Sequence, residues 1–68
     1  MKTESRRLLR LPAVKIITGL GTTKIYELEA AGKFPKRVKL TPRSVAWVSD
    51  EVHAFVECLI AERDRAAA

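Results

Sequence analysis

Thr18-Gly19-Leu20-Gly21-Thr22-Thr23-Lys24-Ile25-Tyr26 carries the signature of a tight turn between two helices. Two glycines bracket one leucine, and apolar residues recur at helical spacing on both sides. Upstream, Val14, Ile17 and Leu20 predict a short helix. Pro12 suits its first turn, where the missing N–H is not needed. Gly19 is placed to end that helix, because glycine takes the left-handed conformation without steric cost. Downstream, Gly21 or Thr22 can cap a second helix. Ile25 and Leu28 would face inward, with Thr23, Lys24, Glu27 and Ala30 outward, and Gly32 would stop it. Two short helices joined by a tight Gly19-Leu20-Gly21 turn make a helix-turn-helix.

Beyond Gly32, Phe34-Pro35 cannot continue a helix. Val38-Lys39-Leu40 and Val45-Ala46-Trp47-Val48 read as strands around the turn Thr41-Pro42-Arg43-Ser44, with Pro42 at its favoured second position. A two-stranded hairpin after two helices is a wing. Ser49 is expected to cap a last helix, with Asp50 and Glu51 complementing the positive end of its dipole. In that helix Val52, Phe55, Val56, Leu59 and Ile60 form one apolar stripe, expected to pack on the domain's own core. Before the first helix, Arg7 to Leu11 reads as a short extended lead-in. The expected fold is therefore mainly α with a small β-hairpin, a winged helix-turn-helix. The expected organisation is a basic tail at residues 1–7, the domain at 8–62 and a frayed tail at 63–68.

The chain has 68 residues, 47% apolar and 31% charged, which reads as one folded domain with a modest core. Its apolar runs are too short to span a membrane, and its first residues are too charged for a signal-peptide core, so the cytoplasm is the expected location. Cys58 is alone, and with only His53 beside it in type it cannot build a four-ligand zinc site. The two are read as a filler thiol and a solvated imidazole. No cofactor, metal or small-molecule substrate is expected. Acid–base chemistry needs titratable groups gathered in a shielded cleft, and no such constellation is visible.

The charge is polarised. Residues 1–43 carry eleven basic against three acidic side chains, net +8, whereas residues 44–68 carry two against five, net −3. One strongly basic region suits a polyanion. On duplex DNA the second helix would enter the major groove. Thr23 can bond either base type, Lys24 can reach guanine or a phosphate, and Tyr26 either offers its hydroxyl to a phosphate or packs with a wet tip. Glu27 either accepts from cytosine N4 or, like Glu29, only solvates the helix. Arg43 at the hairpin tip is the candidate for a minor-groove contact. Lys36, Arg37 and Lys39 are candidates for phosphate contacts. RNA is the weaker match, because few aromatics are available to stack on unpaired bases.

Taken in order, several short pieces resemble the AlpA family of prophage regulators: Leu9-Arg10-Leu11-Pro12-Ala13-Val14, Thr18-Gly19-Leu20-Gly21 and Thr23-Lys24-Ile25-Tyr26. The resemblance continues through Gly32-Lys33-Phe34-Pro35, Val38-Lys39-Leu40, Arg43-Ser44-Val45-Ala46-Trp47 and Asp50-Glu51-Val52. It implies a winged helix-turn-helix related to phage excisionases. The implied role is transcriptional regulation of a mobile element, in some members combined with setting the direction of recombination. Carried over by position, Thr22 to Glu27 fall on the recognition helix and Lys39 to Ser44 on the wing. Gly21 stands where the family commonly has a serine cap, and Glu27 where a basic residue is frequent.

The expected partner is double-stranded DNA, with an integrase or RNA polymerase as a further partner and nucleoid association as the setting; because a domain this small covers few base pairs, tandem copies or a dimer are expected on the DNA. A competing reading makes the chain an adaptor that contacts an integrase, a polymerase or a toxin through its last helix. It needs the apolar stripe of that helix to be open.

Overall fold

A computed structural model describes residues 7–67 of the chain, so the expected basic tail lies, except for Arg7, outside the described residues. Helix α1 spans Leu11–Thr18, with Arg10 extended at its N-cap and Pro12 in the first turn. Two devices end it. Gly19 adopts φ 75°, and the Thr18 hydroxyl donates to the Val14 carbonyl (2.8 Å) while accepting the Leu20 N–H (3.2 Å). Helix α2, Thr22–Ala30, follows with Gly21 at its N-cap; that glycine is extended, with φ −82°. Its exit is a double closure. The Lys33 N–H donates to the Leu28 carbonyl (2.8 Å) and the Gly32 N–H to that of Glu29 (3.0 Å), with Gly32 at φ 77°. This pair of bonds satisfies carbonyls that a helix end otherwise leaves free.

The wing consists of β2, Val38–Thr41, and β3, Ser44–Val48, paired antiparallel with Val38 opposite Ala46 and Lys39 opposite Val45. The register shifts between Lys39 and Thr41, and Pro42-Arg43 form the tip. The lead-in segment does more than extend. Leu8–Leu9 form strand β1, antiparallel to β3, so the sheet has three strands in the order β1-β3-β2 and not the two expected. The Ser49 N–H donates to the Arg7 carbonyl at 2.6 Å and prolongs the pairing. The physical reason lies in β3, where Ala46 and Trp47 are fully buried. A buried strand needs partners for its backbone groups on both edges.

Trp47 sits in the core with Val14, Ile25, Phe34 and Val52. Leu9, Leu11, Ile17, Leu20, Leu28 and Phe55 close around them. Phe34 meets Phe55 edge-on at 4.8 Å between centroids, so the Phe34-Pro35 segment is a core element as well as a helix breaker. The Trp47 indole N–H is buried without an acceptor among the described residues.

Helix α3 spans Ser49–Ala67, and its apolar stripe is only half used. Val52 is fully buried and Phe55 and Val56 are half-buried, but Leu59 is 45% and Ile60 39% exposed. The expectation that the whole stripe packs on the core is therefore corrected. A 19-residue helix is about 28 Å long at 1.5 Å per residue, whereas α1 and α2 have 8 and 9 residues, so the core ends first. The segment expected to fray from Arg63 is helical as far as Ala67, in keeping with its alanines, arginines and acids, mostly good helix formers. No helix among the described residues is long and apolar enough to cross a membrane.

Candidate nucleic-acid interface

Burial of Ile25 and Leu28 turns the opposite side of α2 outward. Thr23, Lys24, Glu27 and Ala30 are exposed, whereas Thr22 and Tyr26 are half-buried. Thr23 and Glu27 lie one turn apart on this face. Lys24 Nζ stands 4.0 Å from Glu27 Oε1, with both side chains about 60% exposed (59% and 62%). A pair at that distance in solvent contributes little stability. Its effect is local: the outward face of α2 presents a cation and an anion side by side instead of a basic stripe.

The wing supplies the basic side. Lys36, Arg37, Lys39 and Arg43 are all exposed. At the tip, the Arg43 backbone N–H donates to Thr41 Oγ1 at 3.2 Å, which shapes the turn and leaves the guanidinium outside that bond. The four cations are not equivalent. Arg37, just before β2, donates its backbone N–H to Glu29 Oε2 (2.8 Å) and its Nη1 to Glu29 Oε1 (3.1 Å). Its guanidinium carbon also lies 5.3 Å from the centroid of the Tyr26 ring. Tyr26 in turn packs against Trp47 of β3 at 6.2 Å.

Glu29 is thus not the solvated surface residue expected from sequence. Its side chain is only 12% exposed, and both oxygens are occupied by one residue of the wing base. Tyr26, Glu29, Ala30, Lys36 and Arg37 together line an open depression of about 630 Å³ where α2 adjoins the wing. One signal in the sequence points this way: Glu29 falls in the last turn of α2, where the helix dipole disfavours an acid, so an outside partner is called for.

Among the described residues, no three His, Cys, Asp or Glu side chains gather as metal ligands. A second depression, about 790 Å³, lies between Phe34-Pro35 and α3, bordered by Phe55, Cys58 and Leu59.

Residues 7–58 match the sequence profile of the family described as "Prophage CP4-57 regulatory protein (AlpA)". The match runs from β1 to the middle of α3 and stops at Cys58, one residue before the stripe becomes exposed. The chain is also similar to a protein of Enterobacteria phage P4 described as "Uncharacterized protein ORF88". The two are 44% identical over 59 residues, which is 87% of this chain and 67% of that protein.

Proposed function

The chain belongs to the AlpA family of prophage regulatory proteins, and from that premise we propose that it binds double-stranded DNA site-specifically to regulate transcription of a phage or mobile element. In this reading α2 enters the major groove, with Thr22, Thr23, Lys24 and Glu27 nearest the base edges. Lys36 and Lys39 meet backbone phosphates, and Arg43 reaches into the adjoining minor groove. The observation that carries it is the join between Glu29 and Arg37, which fixes the basic base of the wing against the flank of α2 that bears Tyr26 and Ala30. A cationic hairpin joined to a helix with Thr23, Lys24 and Glu27 exposed supports this reading.

A single domain of this size covers few base pairs, so tandem or dimeric binding on neighbouring sites fits the role. The setting is the host cytoplasm, on its DNA. Setting the direction of recombination is the natural extension, because excision also begins with site-specific binding beside an attachment site. None of these roles calls for catalysis by the chain itself.

Footprinting with purified protein across the promoter and attachment site of its native element tests the proposal. Protection of discrete sites supports it; uniform or absent protection refutes site-specific binding. A second reading, contact with an integrase or RNA polymerase through α3, is favoured by the exposure of Leu59 and Ile60.

A further inference from the structure

Arg37 looks at first like one more phosphate contact, but its bonding is of another kind. Glu29 holds both the main chain and the side chain of Arg37, one carboxylate oxygen to each. A side-chain pair alone would leave the backbone free to swing. A carboxylate that also takes the backbone N–H fixes the position of the residue itself, and Val38 follows directly as the first residue of β2. Charge-assisted bonds of this sort are the strong ones, and although the Arg37 side chain is 47% exposed, the Glu29 side chain that receives both bonds is only 12% exposed.

The guanidinium is engaged on a second side by the Tyr26 ring, an arrangement favourable for a cation. Tyr26 rests on Trp47 in β3. A continuous set of contacts therefore runs from Glu29 in α2 to Arg37 at the wing base, back to Tyr26 in α2, and on to β3. It ties the helix to β3 and to the residue that leads into β2.

We propose that Glu29 is a positioning residue that holds Arg37 as a strut between α2 and the wing, setting the angle between the two DNA-contacting elements. Arg37 then supplies geometry and not phosphate charge. This rests on the DNA-binding reading for its functional consequence, although the strut itself is a property of the free protein.

The sign of one substitution separates strut from phosphate contact. Glu29→Gln removes an anion from the binding surface. If Glu29 merely masked Arg37, the variant would bind DNA more tightly, and the slope of log affinity against log salt would steepen by about 0.9 for the one phosphate gained. A strut predicts the opposite. Binding weakens about fivefold, the scale of coupling within one hydrogen-bonded network, and the slope stays unchanged. Arg37→Gln weakens binding to a similar degree, again without a change of slope. The double variant is no worse than either single one. Tighter binding by Glu29→Gln, or a slope lowered by about 0.9 in Arg37→Gln, overturns the proposal.

Circular dichroism and thermal melts establish that each variant is folded. Glu29→Asp, too short to span both bonds, is the second variant should Glu29→Gln not fold. A reading without DNA completes the test. Residual dipolar couplings report the orientation of the β2–β3 amides relative to α2, which the strut predicts will change in Glu29→Gln. An unchanged orientation overturns the strut even if DNA binding holds. A wild-type protein that binds no duplex, combined with a changed orientation, overturns the DNA-binding reading and leaves the strut standing.

Discussion

Replacing Lys39 and Arg43 together by glutamine should halve the salt dependence of DNA binding while leaving the fold intact. Four cations near the proposed interface are exposed and not held by Glu29: Lys24, Lys36, Lys39 and Arg43. If each displaces one counterion from the duplex, whether it lies at a phosphate or in a groove, log affinity falls with log salt at a slope of about −3.6. Between 50 and 200 mM salt that slope costs roughly 150-fold in affinity. With two cations removed, the slope becomes about −1.8 and the same salt step costs roughly 12-fold. Neither side chain is in the core, and the turn bond at Arg43 comes from its backbone, so stability should change by less than about 0.5 kcal/mol. Fluorescence anisotropy of a labelled duplex at four salt concentrations gives the slopes, and a thermal melt gives the stability. A slope that stays near the wild-type value in the folded double variant would refute the wing's contact with DNA.

Five further substitutions have expected outcomes. Gly32→Ala should cost about 1–2 kcal/mol, since φ 77° is a left-handed conformation that strains any side chain even though a Cβ there meets nothing within 4 Å. Gly21→Ser, at an extended N-cap, should instead raise stability by about 0.5 kcal/mol, and opposite shifts of melting temperature check the pair. Glu27→Ala removes an anion and releases Lys24, so affinity should rise about equally for related and unrelated duplexes; a loss of discrimination of about 1–3 kcal/mol would instead assign Glu27 to base reading. Val52→Ala should cost about 2 kcal/mol for two buried methyl groups and their cavity, whereas Ile60→Ser, on the uncovered part of α3, should cost less than about 0.5 kcal/mol by chemical denaturation.

The helix-turn-helix was legible in the sequence because local rules govern it. Gly19 and Gly32 mark helix ends by the backbone conformation they permit, and Pro42 marks the hairpin turn. What escaped is non-local. The pairing of Leu8–Leu9 with Trp47 and Val48 depends on a strand nearly forty residues away, and two residues carry no periodicity to detect. The length of α3 follows from the apolar spacing and helix propensity of its residues. Its uncovered end, however, depends on how far the rest of the domain extends beneath it. Lys24, Lys36, Lys39 and Arg43 could be recognised as exposed cations from pattern alone. The engagement of Arg37 could not, because it is made by an acid eight positions earlier on another element.

In the proposed mode α2 and the wing meet DNA as one surface. Amide chemical-shift mapping of the folded protein tests it most directly, using a duplex selected by the protein itself from a random-sequence pool. Shifts are expected to concentrate at Thr22–Glu27 and Lys36–Arg43, with Leu59–Glu62 of α3 unmoved. Shifts centred on α3, or absent from the wing at saturation, would contradict it.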